Sequence, residues 1–187
     1  ALWDIRGKAL GAPVYKLMGG QYRDHIDLIE GVGLGDTETR VREALEAVGK
    51  GFNIIKMKIS GNPDLDIEQV GAVRAAVGPK VHLRLDANQG YRSGDCLPTF
   101  KKLASFGLDY IEQPLPRWDL DGQAMLAAAL DTPIMGDESC YSPEDVVTLI
   151  RHKAVDIVNI KIMKSGLTRS QKMASIAEAA GLPCMIG

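Results

Sequence analysis

Residues 54–86 read IIKMKISGNPDLDIEQVGAVRAAVGPKVHLRLD, and this stretch decides the fold. Its two ends, 54–59 and 81–86, are short apolar runs of strand length. Between them Asp64 opens a segment, LDIEQVGAVRAAV, whose apolar residues recur at helical spacing, and Gly78 stands where that helix should stop. Strand, helix, strand is one βα unit followed by the start of the next, a connection that makes the two strands parallel.

The same unit recurs outward in both directions. Strand-like runs lie at 25–30, 54–59, 81–86, 108–112, 133–137, 155–161 and 183–186. Markers near their C-terminal ends, at 30, 58, 86, 112, 137, 161 and 186, are separated by 28, 28, 26, 25, 24 and 25 residues. Helix starts are signalled by Thr37, by Ser142-Pro143-Glu144 and by Thr168, and helix ends by Gly51, Gly107 and Gly181. A doubly wound open sheet shares this order, but its units vary more in length, so the near-constant period predicts an α/β fold of the (β/α)8 barrel type. Such a barrel takes roughly 250 residues, against 187 here. The expectation is therefore an incomplete barrel over 25–187, stopping within strand seven and lacking strand eight, preceded over 1–24 by the end of an N-terminal capping region.

Composition excludes several partners. The 22 Lys and Arg balance 24 Asp and Glu to a formal charge of −2, with no basic block to hold nucleic acid or an anionic membrane surface. No apolar run reaches the length of a membrane span, and the first residues lack a signal-peptide pattern, so a cytoplasmic protein is expected. Cys96, Cys140 and Cys184 are odd in number and about 44 residues apart; they form no disulfide framework or C-x-x-C motif and read as buried thiols. The run beginning at Gly31 (GVGLG) lacks the spacing of a dinucleotide or phosphate loop and reads as a flexible loop after strand one.

In a barrel of this type the chemistry lies at the C-terminal strand ends. Here they carry Lys56 and Lys58, Asp86 and Asn88, Glu112 and Gln113, Asp137 and Glu138, and Asn159 and Lys161. Any one of these could be a helix cap or a solvated charge. Three carboxylates on consecutive strands are different, because Asp86, Glu112 and Asp137 would converge at the barrel mouth and their repulsion calls for a cation. An all-oxygen set with room for water or substrate suits Mg2+. His25, His82 and His152 are expected in structural or surface roles. Strands two and six are four apart in a ring of eight, which puts Lys58 and Lys161 on opposite sides of the mouth. Lys56 shares the face of Lys58 and should depress its pKa. Lys161 is preferred to Lys164, which has the opposite strand parity and falls in the following loop.

The motifs KMK, DANQ, IEQPL, GDES and NIKIMKSG, in this order and spacing, resemble the enolase superfamily, and within it the muconate lactonizing subgroup. The N-terminal WDIRGKALGAPVYKLMGG is similar to the segment by which those proteins lead into the barrel. The run beginning at Gly166 (GLTRS) departs from the pattern, standing where the family often carries a Gly-Gly pair. The resemblance implies Asp86, Glu112 and Asp137 as ligands of Mg2+, for which Mn2+ can substitute. It implies Lys58 as base on one face, Lys161 as acid or base on the other, and Lys56 as modulator of Lys58. Asn88 and Asn159 would line the same pocket, and Glu138 would hydrogen-bond behind the metal ligands. The implied activity is removal of the proton α to a carboxylate of a small substrate by a racemase, epimerase or cycloisomerase. A dehydratase is less favoured because Lys161 stands where such enzymes more often carry His, and a non-catalytic carboxylate-binding barrel is the alternative from another class. A homo-oligomer is expected for the full-length protein.

Overall fold

Alternate residues of each strand meet different surroundings, and this alternation builds the layers. The computed structural model describes residues 2–187. Its strands are β1 (Glu30–Val32), β2 (Ile54–Lys58), β3 (His82–Asp86), β4 (Leu108–Glu112), β5 (Ile134–Gly136), β6 (Ile157–Ile160) and β7 (Cys184–Ile186). On one face Ile55, Met57, Leu83, Leu85, Ile111, Ile134, Val158 and Ile160 are buried in the main apolar core. On the other face Lys56 is the register partner of Arg84, and Arg84 of Tyr110. The sheet is parallel throughout and runs in sequence order from β1 to β7, the curl of an incomplete (β/α)8 barrel.

The helices close the apolar face. They are α3 (Thr37–Gly49), α4 (Pro63–Val77), α5 (Leu97–Ala104), α6 (Leu120–Ala129), α7 (Pro143–His152) and α8 (Ile162–Ala179), after the N-terminal α1 (Leu2–Leu10) and α2 (Val14–Leu17). Five of the six send an i, i+3 or i, i+4 pair into the core: Ala44 and Ala47, Val70 and Val73, Phe100 and Leu103, Val146 and Leu149, and Met173 and Ala177. Side-chain caps start four of them. Asp36, Asn62, Asp119 and Ser142 accept the backbone N–H of Thr39, Leu65, Gly122 and Asp145, each cap worth about 1 kcal/mol. The N-terminal segment rests on α8, where Trp3 Nε1 donates to Thr168 Oγ1 at 2.9 Å and Gln171 Nε2 to the carbonyl of Met18 at 2.9 Å. Among the described residues no helix is long and apolar enough to cross a membrane.

Four expectations need correction. Strand one is not 25–30: β1 begins at Glu30, paired with Ile55, and residues 25–28 would fall opposite positions before Ile54, where β2 starts. Ile26 and Leu28 are accordingly exposed. Gly31 and Val32 belong to this strand and not to a loop after it. The Thr168 signal announces the helix that follows Gly166 but not the separate turn over 162–165 before it, the two being parted at Gly166 by a φ of 70° and ψ of 163°. Of the thiols, Cys96 and Cys140 are buried but Cys184 is exposed, since β7 is an edge strand.

Candidate active site

The strand register aligns the charged ends. Lys58 lies opposite Asp86 and Asp86 opposite Glu112, so three neighbouring strands carry these side chains in one row. Lys56 Nζ is 2.8 Å from Glu112 Oε2 and 3.3 Å from Asp86 Oδ2, and Lys58 Nζ is 3.7 Å from Asp86 Oδ2. The other oxygen of Glu112 accepts Asn159 Nδ2 at 2.8 Å, which brings β6 into the group. Asp137, after β5, accepts Lys161 Nζ at 2.6 Å and is also contacted by the ammonium of Lys164. All the residues expected at the site are thus at one end of the sheet, and β2 and β6 flank the three strands that carry the carboxylates.

Burial sets the electrostatics. Asp86, Glu112 and Asp137 are all buried. Burial and the charge of Asp86 hold the Glu112 carboxyl above the usual carboxylate range, against the pull of Lys56. Asp137 goes the other way: burial pushes it up, but hydrogen bonds from Lys161 and Lys164 outweigh this and bring it below the usual range. Burial works against the Lys56 ammonium, yet Glu112 and Asp86 more than reverse it, so Lys56 is held as a cation above the ordinary lysine value. The same contest, with Asp137 as partner, raises Lys161. Two buried carboxylates that repel one another, with oxygen donors only, fit a hard divalent cation in charge and donor type. As the side chains stand, lysine ammonium groups neutralise them. Among the described residues no three carboxylate, histidine or cysteine side chains are gathered closely enough to hold one ion.

Lys164, set aside for Lys161 on strand parity, also meets Asp137. Its Nζ donates to the backbone carbonyl of Asp137 at 2.8 Å and lies 4.4 Å from the centre of the Tyr141 ring. Strand alternation ends at Ile160, and over the helical turn that follows an i, i+3 pair shares a face, so the K-x-x-K spacing was the usable signal. Gln113 carries no sequence signal beyond its place after Glu112. Fully buried, it accepts the N–H groups of Asp137 at 2.8 Å and Ser139 at 3.0 Å on Oε1, and donates to the carbonyl of Leu115 at 2.9 Å. It ties the loop that bears Asp137 to the end of β4. Arg40 had no sequence signal at all: fully buried on α3, its guanidinium donates to the carbonyl of Lys58 and to Gln69. The histidines are peripheral, His25 pairing with Asp24 and His82 with Asp109, while His152 bonds the carbonyl of Thr148.

Gly187 stands against the far side of the site. A Cβ there would lie 2.7 Å from Asn159 Oδ1 and 2.9 Å from Lys161 Cε. A side chain at this position would displace both.

The chain has known relatives. Residues 39–187 match the family model described as enolase C-terminal domain-like. The chain belongs to that family. Over its whole length it is 36% identical to the L-Ala-D/L-Glu epimerase of Clostridium acetobutylicum, covering 53% of that protein. It is also 36% identical to muconate cycloisomerase 1 of Pseudomonas putida, with 97% of this chain and 49% of that protein aligned. Among solved structures, the dipeptide epimerase of Cytophaga hutchinsonii complexed with Mg and D-Ala-L-Val superposes with a TM-score of 0.96 at 32% identity, over 100% of this chain and 51% of that one. The chain spans about half the length of the curated relatives it matches.

Proposed function

We propose that the protein carrying this chain is an isomerase that removes the proton α to the carboxylate of a small substrate and returns a proton to the same carbon. An N-acylated amino acid or a dipeptide is the substrate class, and racemisation or epimerisation the outcome. The observation that carries this reading is the flanking of the Asp86, Glu112 and Asp137 strands by Lys58 on one side and Lys161 on the other. The epimerase relatives supply the substrate class; the muconate cycloisomerase relative supports ring closure or opening as the second reading.

Asp86, Glu112 and Asp137 would hold Mg2+, with Mn2+ as substitute. The ion, when bound, supplies positive charge to the substrate carboxylate as the α-proton leaves. Lys56, held as an ammonium between Glu112 and Asp86, adds a fixed charge that needs no reorganisation during the reaction. Lys58 is the base on the β2 face. Lys161, 2.6 Å from Asp137, is the proton donor on the β6 face, and the two exchange roles for the opposite enantiomer. Residues 1–24 form the end of an N-terminal capping region and 25–187 part of the catalytic barrel. The full-length protein is proposed to be a homo-oligomer.

The test is deuterium exchange at the α-carbon with Mg2+, followed by NMR. Lys58→Ala and Lys161→Ala should each abolish racemisation, and each should retain exchange from one enantiomer only, opposite in the two variants. Asp86→Asn, Glu112→Gln and Asp137→Asn should each weaken Mg2+ binding by about tenfold or more in calorimetry. Exchange of the same enantiomer in both lysine variants would refute the two-base reading. Loss of a β-substituent in place of exchange would make the protein a dehydratase, and carboxylate binding without exchange a non-catalytic barrel.

A further inference from the structure

Among the described residues, Glu138 is the one acidic residue of the site with no lysine in ion-pair contact. It follows Asp137, its Oε1 accepts Asn88 Nδ2 at 3.1 Å, and its Oε2 is buried with no hydrogen-bond partner. Asn88 in turn accepts the ammonium of Lys58 on Oδ1. A carboxylate can only accept and an ammonium can only donate, so one orientation of the Asn88 amide satisfies both neighbours: NH2 toward Glu138, oxygen toward Lys58. Lys58 is half exposed and its next polar neighbour, Asp86 Oδ2, is 3.7 Å away, which leaves the amide as its closest anchor.

The backbone is distorted to put that amide there. Asn88 and Gln89 both adopt left-handed conformations, with φ of 41° and 68°, which Asn tolerates and which costs Gln about 1–2 kcal/mol. The turn is held by the Gln89 N–H on the carbonyl of Gln113 at 2.8 Å and by the Arg117 N–H on Gln89 Oε1 at 2.9 Å. On the opposite side of the site, Lys161 and Lys164 are anchored by Asp137 with no contribution from Glu138.

We infer that Glu138 is a positioning residue for one proton-transfer face only: through the Asn88 amide it orients Lys58, and it has no part in orienting Lys161. Without the carboxylate the amide can turn over and present its NH2 to the ammonium, and the long lysine chain loses its fixed direction. Displacement of a reacting group by about 1 Å can cost on the order of a hundredfold in rate. The effect on exchange rests on the two-lysine reading above; the geometric relay does not.

The experiment compares Glu138→Leu and Glu138→Gln in the full-length protein with Mg2+. In Glu138→Leu, α-proton exchange from the enantiomer served by Lys58 should fall by about tenfold or more, while exchange from the other enantiomer stays within about twofold. Glu138→Gln should recover most of the loss, because its amide oxygen still accepts from Asn88. Two readouts need no turnover. Mg2+ affinity by calorimetry should be the same in all three proteins, and site-resolved acetylation read by mass spectrometry should speed up at Lys58 in Glu138→Leu and hold steady at Lys161 and Lys164. Equal slowing of both faces, a Gln variant as impaired as the Leu variant, or unchanged Lys58 labelling would overturn the inference. A tenfold loss of Mg2+ affinity would overturn it by making Glu138 a ligand. If the wild-type protein exchanges neither enantiomer, the two-lysine reading fails, and the Lys58 labelling still decides the relay.

Discussion

Asp66 shows how a single buried residue shapes the site without touching it. Its carboxylate accepts the N–H and hydroxyl of Ser60, each at 2.8 Å, the N–H of Gly61 at 2.9 Å and the phenol of Tyr91. It thereby pins the loop after β2 to the one after β3. Burial and this carboxylate raise the Tyr91 phenol far above its ordinary value of 10.0. A raised acid stabilises the fold below the unfolded-state pKa and loses that contribution as pH rises above it. Stability should therefore decline above about pH 10, by up to about 1.4 kcal/mol per pH unit for this group, with Tyr110, pushed up to about 12, adding a similar slope. In Tyr91→Phe the alkaline slope should be shallower, although stability at pH 8 falls by about 1–3 kcal/mol because Asp66 loses a donor. Urea unfolding at pH 8 and pH 10.5 measures both, and an unchanged slope would show that the phenol is not the titrating group. The lysines and carboxylates of the site were legible as residues because charge at a strand end is conspicuous in sequence. Gln113 and Arg40 were not, because each acts through a hydrogen bond to a distant backbone group that no local pattern records.

At the scale of elements, the two ends of the strands do different work. Beyond the C-terminal ends the loops are forced together: Gly61 has φ of 88°, and a Cβ there would lie 2.7 Å from the carbonyl of Gly90. At the opposite end Arg74 of α4 donates to the carbonyls of Phe106, Gly78, Val81 and Gly107 at 2.7–2.8 Å, binding the helix to the turns that lead into β3 and β4. Arg74→Met should lower unfolding stability by about 2–4 kcal/mol, since carbonyls accepting from a charged donor lose their partner. The kcat of whatever reaction the site performs should change less than twofold, because Arg74 lies at the end of the sheet away from Lys58 and Asp86. Denaturant unfolding and steady-state kinetics of the one variant decide this, and a large loss of kcat with intact stability would contradict the division. Element type was readable from apolar period and cap residues. The first strand was misplaced because periodicity marks 25–30 as strand, whereas pairing starts only where β2 offers a partner.

At the scale of the whole molecule, the sheet has two free edges. β1 pairs only with β2 and β7 only with β6, and Ile26, Leu28 and Ile186 are exposed along those margins. Unpaired parallel edges with apolar flanks are templates for association. The 187-residue chain produced by itself should therefore self-associate, with an elution volume in size-exclusion chromatography that shifts with concentration. A monodisperse monomer with a single cooperative unfolding transition would show that the edges are protected some other way. The sequence by itself determined the repeat, the parallel order of strands and the identity of the charged residues at their ends, because these follow from spacing along the chain and from side-chain chemistry. Only the tertiary structure decided which charges meet: that Lys56 is shared by Glu112 and Asp86, that Lys161 and Lys164 both hold Asp137, and that Glu138 turns to Asn88. Those pairings depend on the stagger and curl of seven strands and on left-handed turns at Asn88 and Gln89. Such geometry arises from packing across the sheet and is not encoded in any one segment.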